Sequence, residues 1–305
     1  MLTMVALQSF AGEKVNQSIE LNDATHVSIE NLRGQVSIKG WSKDSVKVVG
    51  EIDDKAERFI FEQVGTDIKI KVVMPNHMNG RWQNGGSDLT INVPEKVRLA
   101  FTGVSTNVMV KDIHKSIDVR TVSGNVDAET LSEHIEIATV SGDITSENLA
   151  GKVSLSTVSG DITDENSQGR IKFKAVSGNL KTRSKANEVF VNTVSGEIDL
   201  QLNEVDELVV STVSGDVDGD LSLNNTGLVK MSSVSGDIDL AFKNEVQANF
   251  RLKSNAGGDL INQLTNDKAK HAKYGPSSKL YFETGNANAS VKASTVSGRI
   301  KLSQK

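Results

Sequence analysis

The sequence predicts an all-β protein built as a parallel β-solenoid (β-helix), with about 18 residues per coil and an N-terminal β cap. Three observations carry that expectation. First, Val-Ser-Gly recurs with its Val at 122, 140, 158, 176, 194, 213, 234 and 296, in steps of 18, 18, 18, 18, 19, 21 and then 62. A fixed period of this length marks a repeat architecture. Second, apolar residues stand in ranks at matching positions, such as Ile117, Ile135, Val153, Ile171 and Val189, or Val126, Ile144, Ile162, Leu180 and Ile198. Their spacing within a repeat is two, the strand period, with no competing 3.6-residue pattern. Third, the chain has 4% aromatic residues and three prolines in 305, and its apolar residues are mostly β-branched or Leu. That composition suits strands stacking identical ranks at about 4.8 Å.

Taken in order, residues 1–11 end in small residues at Ser9 and Ala11 and read as a truncated signal peptide lacking its basic region; an N-terminal strand is the alternative. Residues 12–98 alternate in four stretches without the Val-Ser-Gly period and read as a cap over an otherwise open strand edge. Residues 99–305 form the array, with Val104-Ser105-Thr106 and Ala256-Gly257-Gly258-Asp259 as degenerate copies. The aliphatics do not fall every sixth residue, as a left-handed hexapeptide helix requires, so the coil is expected to be right-handed. Taking the strand spacing as the rise, ten coils predict a rod on the order of 50 Å long. Parity breaks once per coil, and the sequence places a corner between Ile137 and Val140, with Val140 inward. Ser-Gly makes the second corner, where Gly124, Gly142, Gly160, Gly178, Gly196, Gly215, Gly236 and Gly298 are expected at positive φ. The Asp or Asn that follows suits a turn in which a short polar side chain bonds nearby backbone.

The segment Leu32-Arg33-Gly34-Gln35-Val36-Ser37-Ile38-Lys39-Gly40-Trp41, the strand Ile91-Asn92-Val93-Pro94 and the repeated Thr-Val-Ser-Gly-Asp units resemble a bacterial putative-adhesin family of domains of unknown function, akin to head-domain auto-transporter adhesin modules. The resemblance spans nearly the whole chain. It implies a β-helical, extracytoplasmic protein, periplasmic or at the cell surface, and brings no catalytic residues with it.

Composition narrows function further. A net charge of −5 spread along the chain, without interleaved aromatic and basic residues, argues against nucleic acid. No segment offers the ~18 apolar residues of a membrane helix. The absence of cysteine removes disulfides and thiolate chemistry. Eight serines in register lack a positioned base, so they read as a turn-supporting ladder. One Asp or Asn per coil is too few for the Ca²⁺ sites of a β-roll, and no metal or cofactor is expected. Thr-x-Ser pairs would resemble an ice-binding array only on a flat strand, which the corner prevents. Acids recur in every coil instead of gathering in one, which points to a solvated face and no enzyme.

Two features differ from their neighbours. The stretch 170–185 carries Lys172, Lys174, Lys181 and Arg183 with no acid, either paired to neighbouring coils (Arg183 over Glu165, Lys181 beside Asp199) or forming a docking patch. Trp82 with Arg81 and His77, in the loop 75–86, could stack on a sugar or pack on the cap. The expected function is therefore non-catalytic binding or scaffolding at the cell envelope, with an anionic envelope glycan or an envelope protein as partner. The alternatives are a β-helical polysaccharide lyase or hydrolase with its cleft at loop 75–86 or 262–279, and an envelope-stress accessory protein that contacts a regulatory partner.

Overall fold

The computed structural model describes residues 12–21, 24–75 and 85–305, and among these every regular element is a strand. The signal-peptide expectation for residues 1–11, and His77, Arg81 and Trp82, lie outside the described residues. The chain divides into two compact units, Met1–Lys152 and Val153–Lys305.

The first unit holds β1 (Lys14–Glu20), β2 (His26–Trp41), β3 (Ser45–Glu51), β4 (Arg58–Val64), β5 (Asp67–Val73), β6 (Ser87–Pro94), β7 (Arg98–Ile113), β8 (Ile117–Arg120), β9 (Val126–Ala138) and β10 (Ile144–Glu147). β2 runs parallel to β7 from His26↔Arg98 to Lys39↔Lys111, although β2 carries no Val-Ser-Gly. The first half of β7 pairs with β8 and its second half with β9, so one strand serves two parallel ladders. Antiparallel strands border these ladders: β4 pairs with β5, and β3 lies between β1 and β6. Covering a parallel edge with antiparallel strands removes a template for aggregation.

β11 (Ala150–Ser156) carries the chain from one unit to the other. The second unit then holds β12 (Ile162–Glu165), β13 (Gln168–Lys174), β14 (Leu180–Ser184), β15 (Glu188–Asn192), β16 (Ile198–Ser211), β17 (Val217–Ser232) and β18 (Ile238–Phe242). It ends with β19 (Ala248–Ser254), β20 (Leu260–Asn262), β21 (Lys270–His271), β22 (Ser278–Glu283), β23 (Ala289–Thr295) and β24 (Ile300–Gln304). One ladder stacks β13, β15 and the second halves of β16 and β17; the other stacks β12, β14, the first halves of β16 and β17, and β18. The apolar ranks point inward: Ile171, Phe173, Val189, Val191, Leu208 and Val210 are all buried.

The corner corrects the expected parity. Inward positions run Ile135, Ile137, Thr139, then Gly142, Ile144 and Ser146, and the break falls at Val140-Ser141. Val140 is 43% exposed, and the other repeat valines match it. The residue that turns in is the Thr, because its hydroxyl accepts the Gly N–H three residues on: Thr139 from Gly142 at 3.1 Å, Thr157 from Gly160 at 3.0 Å, Thr212 from Gly215 at 3.1 Å. Valine in that place would leave the amide without this acceptor.

The glycine expectation is corrected too. Of that row only Gly196 has a left-handed φ, +123°, whereas Asn148 and Asn166 adopt +56° and +57° at the opposite corner. The Val-Ser-Gly glycine is needed for closeness instead. A Cβ on Gly142 would overlap the carbonyl oxygen of Gly124, and one on Gly178 that of Gly160.

The array is also not threaded in sequence order. Sequential stacking would set the Ala256 copy directly on the Val234 copy, but β23 lies between β17 and β19, and β24 between β18 and β20. The last copy inserts into a gap left open 62 residues earlier, and Arg299 N–H reaches Asp237 Oδ1 at 2.8 Å.

Candidate binding face

In the second unit the outward residues of the first ladder alternate with its core residues. Lys230 of β17 stands opposite Lys292 of β23, Lys292 opposite Arg251 of β19, and Arg251 opposite Tyr281 of β22. Two residues further along the strands, Ser294 faces Lys253, Lys253 faces Lys279, and Lys279 faces Lys270 of β21. All six cations are exposed. None of them is within ion-pair distance of a carboxylate among the described residues. Some exposed cations of the chain do find acids, as Arg170 finds Glu188 at 3.0 Å, while others, Lys172, Lys174 and Lys181 among them, make no ion pair among the described residues. The six belong to strands joined by the inserted β23, between β17 and β19, and by the antiparallel pairing of β22 with β19 and β21.

Tyr281 is 60% exposed and lines a groove of about 550 Å³ with Asn249, Arg251, Phe282 and Glu283. Asn249 Nδ2 donates to Glu283 Oε1 at 2.6 Å, and Arg251 Nε donates to Asn249 Oδ1 at 3.0 Å. Below them Phe282 stacks on Phe250, centroids 4.4 Å apart and planes within 4°, and Phe242 meets Phe250 edge-on. The core therefore fixes β22 while its outer face stays polar.

Of the cations singled out in 170–185, Lys172 and Lys174 share the ladder and the register rows of this face, Lys172 leading through Phe190 and Val209 to Lys230, while Lys181 and Arg183 do not. Lys172 and Lys174 on β13 stand opposite Phe190 and Asn192 of the first ladder. Lys181 and Arg183 on β14 belong to the second, opposite Asp199 and Gln201. All four are exposed, but register does not gather the four on one ladder. Arg183 bonds Gln201 at 3.2 Å and approaches Glu165 at 4.0 Å, so coil-to-coil pairing accounts for it.

On the second ladder Asp199, Asp218 and Asp239 stack in one row between Lys181 and Lys301. They line a cleft of about 300 Å³ with Asp220 and Lys305. Burial, then Asp239, Asp199, Asp216 and Glu197, push the Asp218 carboxyl above its ordinary value. Asp239 is met by Arg299 at 3.3 Å and Lys301 at 4.0 Å, and Lys305 pairs with Asp220. Among the described residues no group of His, Asp or Glu is arranged to hold a metal ion, and no helix is long and apolar enough to cross a membrane.

The repeat serines donate their amides to the preceding repeat's Val carbonyl, Ser195 to Val176 at 2.9 Å and Ser214 to Val194 at 2.9 Å. Their hydroxyls turn to the same oxygens at 3.4 and 3.3 Å. The Asp or Asn after each glycine bonds across repeats and not within its own turn: Asn179 N–H meets Asp161 Oδ1 at 2.7 Å, and Glu197 N–H meets Asn179 Oδ1 at 2.9 Å.

The sequence matches the family described as Toastrack DUF4097 over residues 19–303. The chain belongs to this family. No curated protein matches this Toastrack sequence. Among solved structures, a putative lipid binding protein from Parabacteroides distasonis is 12% identical, with 96% of this chain and 97% of that one covered, at a TM-score of 0.50. A putative cell adhesion protein from Clostridium sporogenes, also 12% identical, covers 96% and 100% at 0.31. A putative adhesin from Bacteroides fragilis, 10% identical, covers 95% and 97% at 0.39. The likeness to the Parabacteroides protein is one of fold. The six-cation face is not visible in the sequence of this Toastrack chain because its members come from 230, 251–253, 270–279 and 292, which become neighbours only through the inserted β23 and the antiparallel pairing of β19, β22 and β21.

Proposed function

We propose that this Toastrack chain is a right-handed parallel β-solenoid with about 18 residues per coil, acting outside the cytoplasm as a non-catalytic binding and scaffold protein of the cell envelope. The observation that carries the reading is the gathering on one face of Lys230, Arg251, Lys253, Lys270, Lys279 and Lys292, none of them in an ion pair among the described residues, in a chain whose net charge is −5. Like charges stacked about 4.8 Å apart repel one another, so the array is costly unless an anion neutralises it. An anionic envelope glycan or an acidic envelope protein is the fitting partner. The absence of chemistry is supported by the hydroxyls of Ser195 and Ser214, which are turned to backbone carbonyls, and by Asp239 of the acidic row, which is met by Arg299 and Lys301, with Asp220 beside it met by Lys305.

The test is retention of the purified chain on fractionated envelope material. The triple variant Lys230→Glu, Arg251→Glu, Lys292→Glu is expected to lose retention, and retention of the parent is expected to fall with salt. A quadruple reversal at Lys172, Lys174, Lys181 and Arg183 is expected to retain it. Loss in the quadruple variant alone would move the binding face to β13 and β14.

A further inference from the structure

We infer that the groove around Tyr281 seats an acidic saccharide, with a sugar ring packed on the tyrosine and carboxylates reaching Arg251 and Lys292. This rests on the reading of the basic face as an anion-binding surface, and it assigns the ligand class.

Three observations favour a saccharide over other polyanions. Tyr281 presents an exposed ring in the same register row as three cations, Arg251, Lys292 and Lys230. An aromatic face attracts the weakly positive C–H groups of a pyranose, while a bare phosphate chain has nothing to stack. Next to the ring, Arg251, Asn249 and Glu283 form a hydrogen-bonded chain that offers donors and acceptors side by side. Sugar hydroxyls use both, whereas a purely anionic ligand would be repelled by the Glu283 carboxylate. The outward neighbours of Tyr281 are Asn249, Arg251, Glu283 and Lys279, all polar. A surface for entering a bilayer would add apolar side chains on the same face.

The geometry also suits a chain. From Tyr281 to Lys230 the row crosses three strand steps, about 14 Å at the usual spacing. An extended acidic oligosaccharide can lie across β22, β19, β23 and β17 with its ring on Tyr281 and charges over the cations. The stacked Phe250 and Phe282 hold β22 in place, so little ordering is needed on binding.

Calorimetric titration of the full chain with oligogalacturonate, a neutral oligosaccharide of equal length, inorganic polyphosphate, and vesicles of phosphatidylglycerol tests this. Oligogalacturonate is expected to bind more tightly than the neutral sugar. Tyr281→Ala should weaken it about tenfold, and Tyr281→Phe by less than about twofold. Polyphosphate binding should be unchanged by either and lost in Lys292→Glu. Thermal melts confirm that the variants are folded.

Oligogalacturonate affinity within twofold of the parent in Tyr281→Ala, with Lys292→Glu still losing polyphosphate, overturns the saccharide assignment and leaves the basic face standing. Binding to vesicles but not to oligogalacturonate overturns it in favour of a lipid surface. No binding to any of the anions, with the triple reversal indistinguishable from the parent on envelope material, overturns the underlying anion-binding reading as well.

Discussion

At Gly178 the Cα faces the carbonyl oxygen of Gly160 in the preceding repeat, and a methyl group there has no space. Because the obstacle is backbone, Gly178→Ala must push neighbouring repeats away from each other; a loss of about 1–3 kcal/mol in urea unfolding is expected. Thr212→Val keeps the volume but takes the acceptor from Gly215 N–H, at a cost of about 1–2 kcal/mol by the same measurement. The Arg33–Asp53 pair is buried, with Arg33 Nη2 donating to Asp53 Oδ1 at 2.7 Å. Burial alone would raise the Asp53 carboxyl, but hydrogen bonds from Arg33 and from the Lys55 amide outweigh it and hold the group below its ordinary value. A lowered native pKa means its stabilisation is complete above the unfolded value near 3.9 and is lost as pH falls through the native one. Asp53→Asn is expected to cost about 3–5 kcal/mol at neutral pH and to flatten the acid side of the stability–pH curve. A curve of unchanged shape would show that Asp53 does not carry that slope.

Among the elements, β23 joins two strands that come from different parts of the chain, β17 and β19. Without it β17 and β19 have no partner on their facing edges, and β24 leaves the same gap beside β18. Val291→Asp, at a fully buried position, is expected to unfold the C-terminal strands while leaving the first unit's amide-exchange protection intact. Uniform loss of protection would show instead that the chain unfolds as one. The acidic row on the other ladder makes an opposite case. Asp218 is raised by burial and by its acidic neighbours, so the native state holds its proton to higher pH than the unfolded chain, and stability falls as pH rises through that window. Asp218→Asn is expected to raise the melting temperature slightly at neutral pH, within the ~0.5 kcal/mol of a surface change, and to do nothing below about pH 3.

For the whole molecule, most pairings join residues 18 or more apart, and β2 with β7 or β17 with β23 far more. Non-local parallel pairing must close long loops before any contact is gained, so refolding after urea dilution is expected on the order of seconds, followed by stopped-flow fluorescence. Completion within a millisecond would contradict this. Charge is divided in the same non-local way. The net value of −5 conceals a face of six cations that no window of the sequence contains, because they come from four stretches between 230 and 292.

The period, the strand spacing and the inward aliphatic ranks were legible because they are local and repeated eight times, and the structure pairs Leu180 with Ile198 and Ile162 with Leu180 as that period requires. The corner was not legible because Val and Thr differ little in volume, and only the Gly N–H three residues on decides which of them turns inward. The glycine row was visible, but its cause lies in the neighbouring repeat, where Gly124 approaches Gly142. Repetition alone determined an all-β stack of parallel strands. The order in which the last copies stack, and with it the basic face around Tyr281, was decided by tertiary structure, since identical ranks fit one another equally well and the insertion of β23 settles which of them meet.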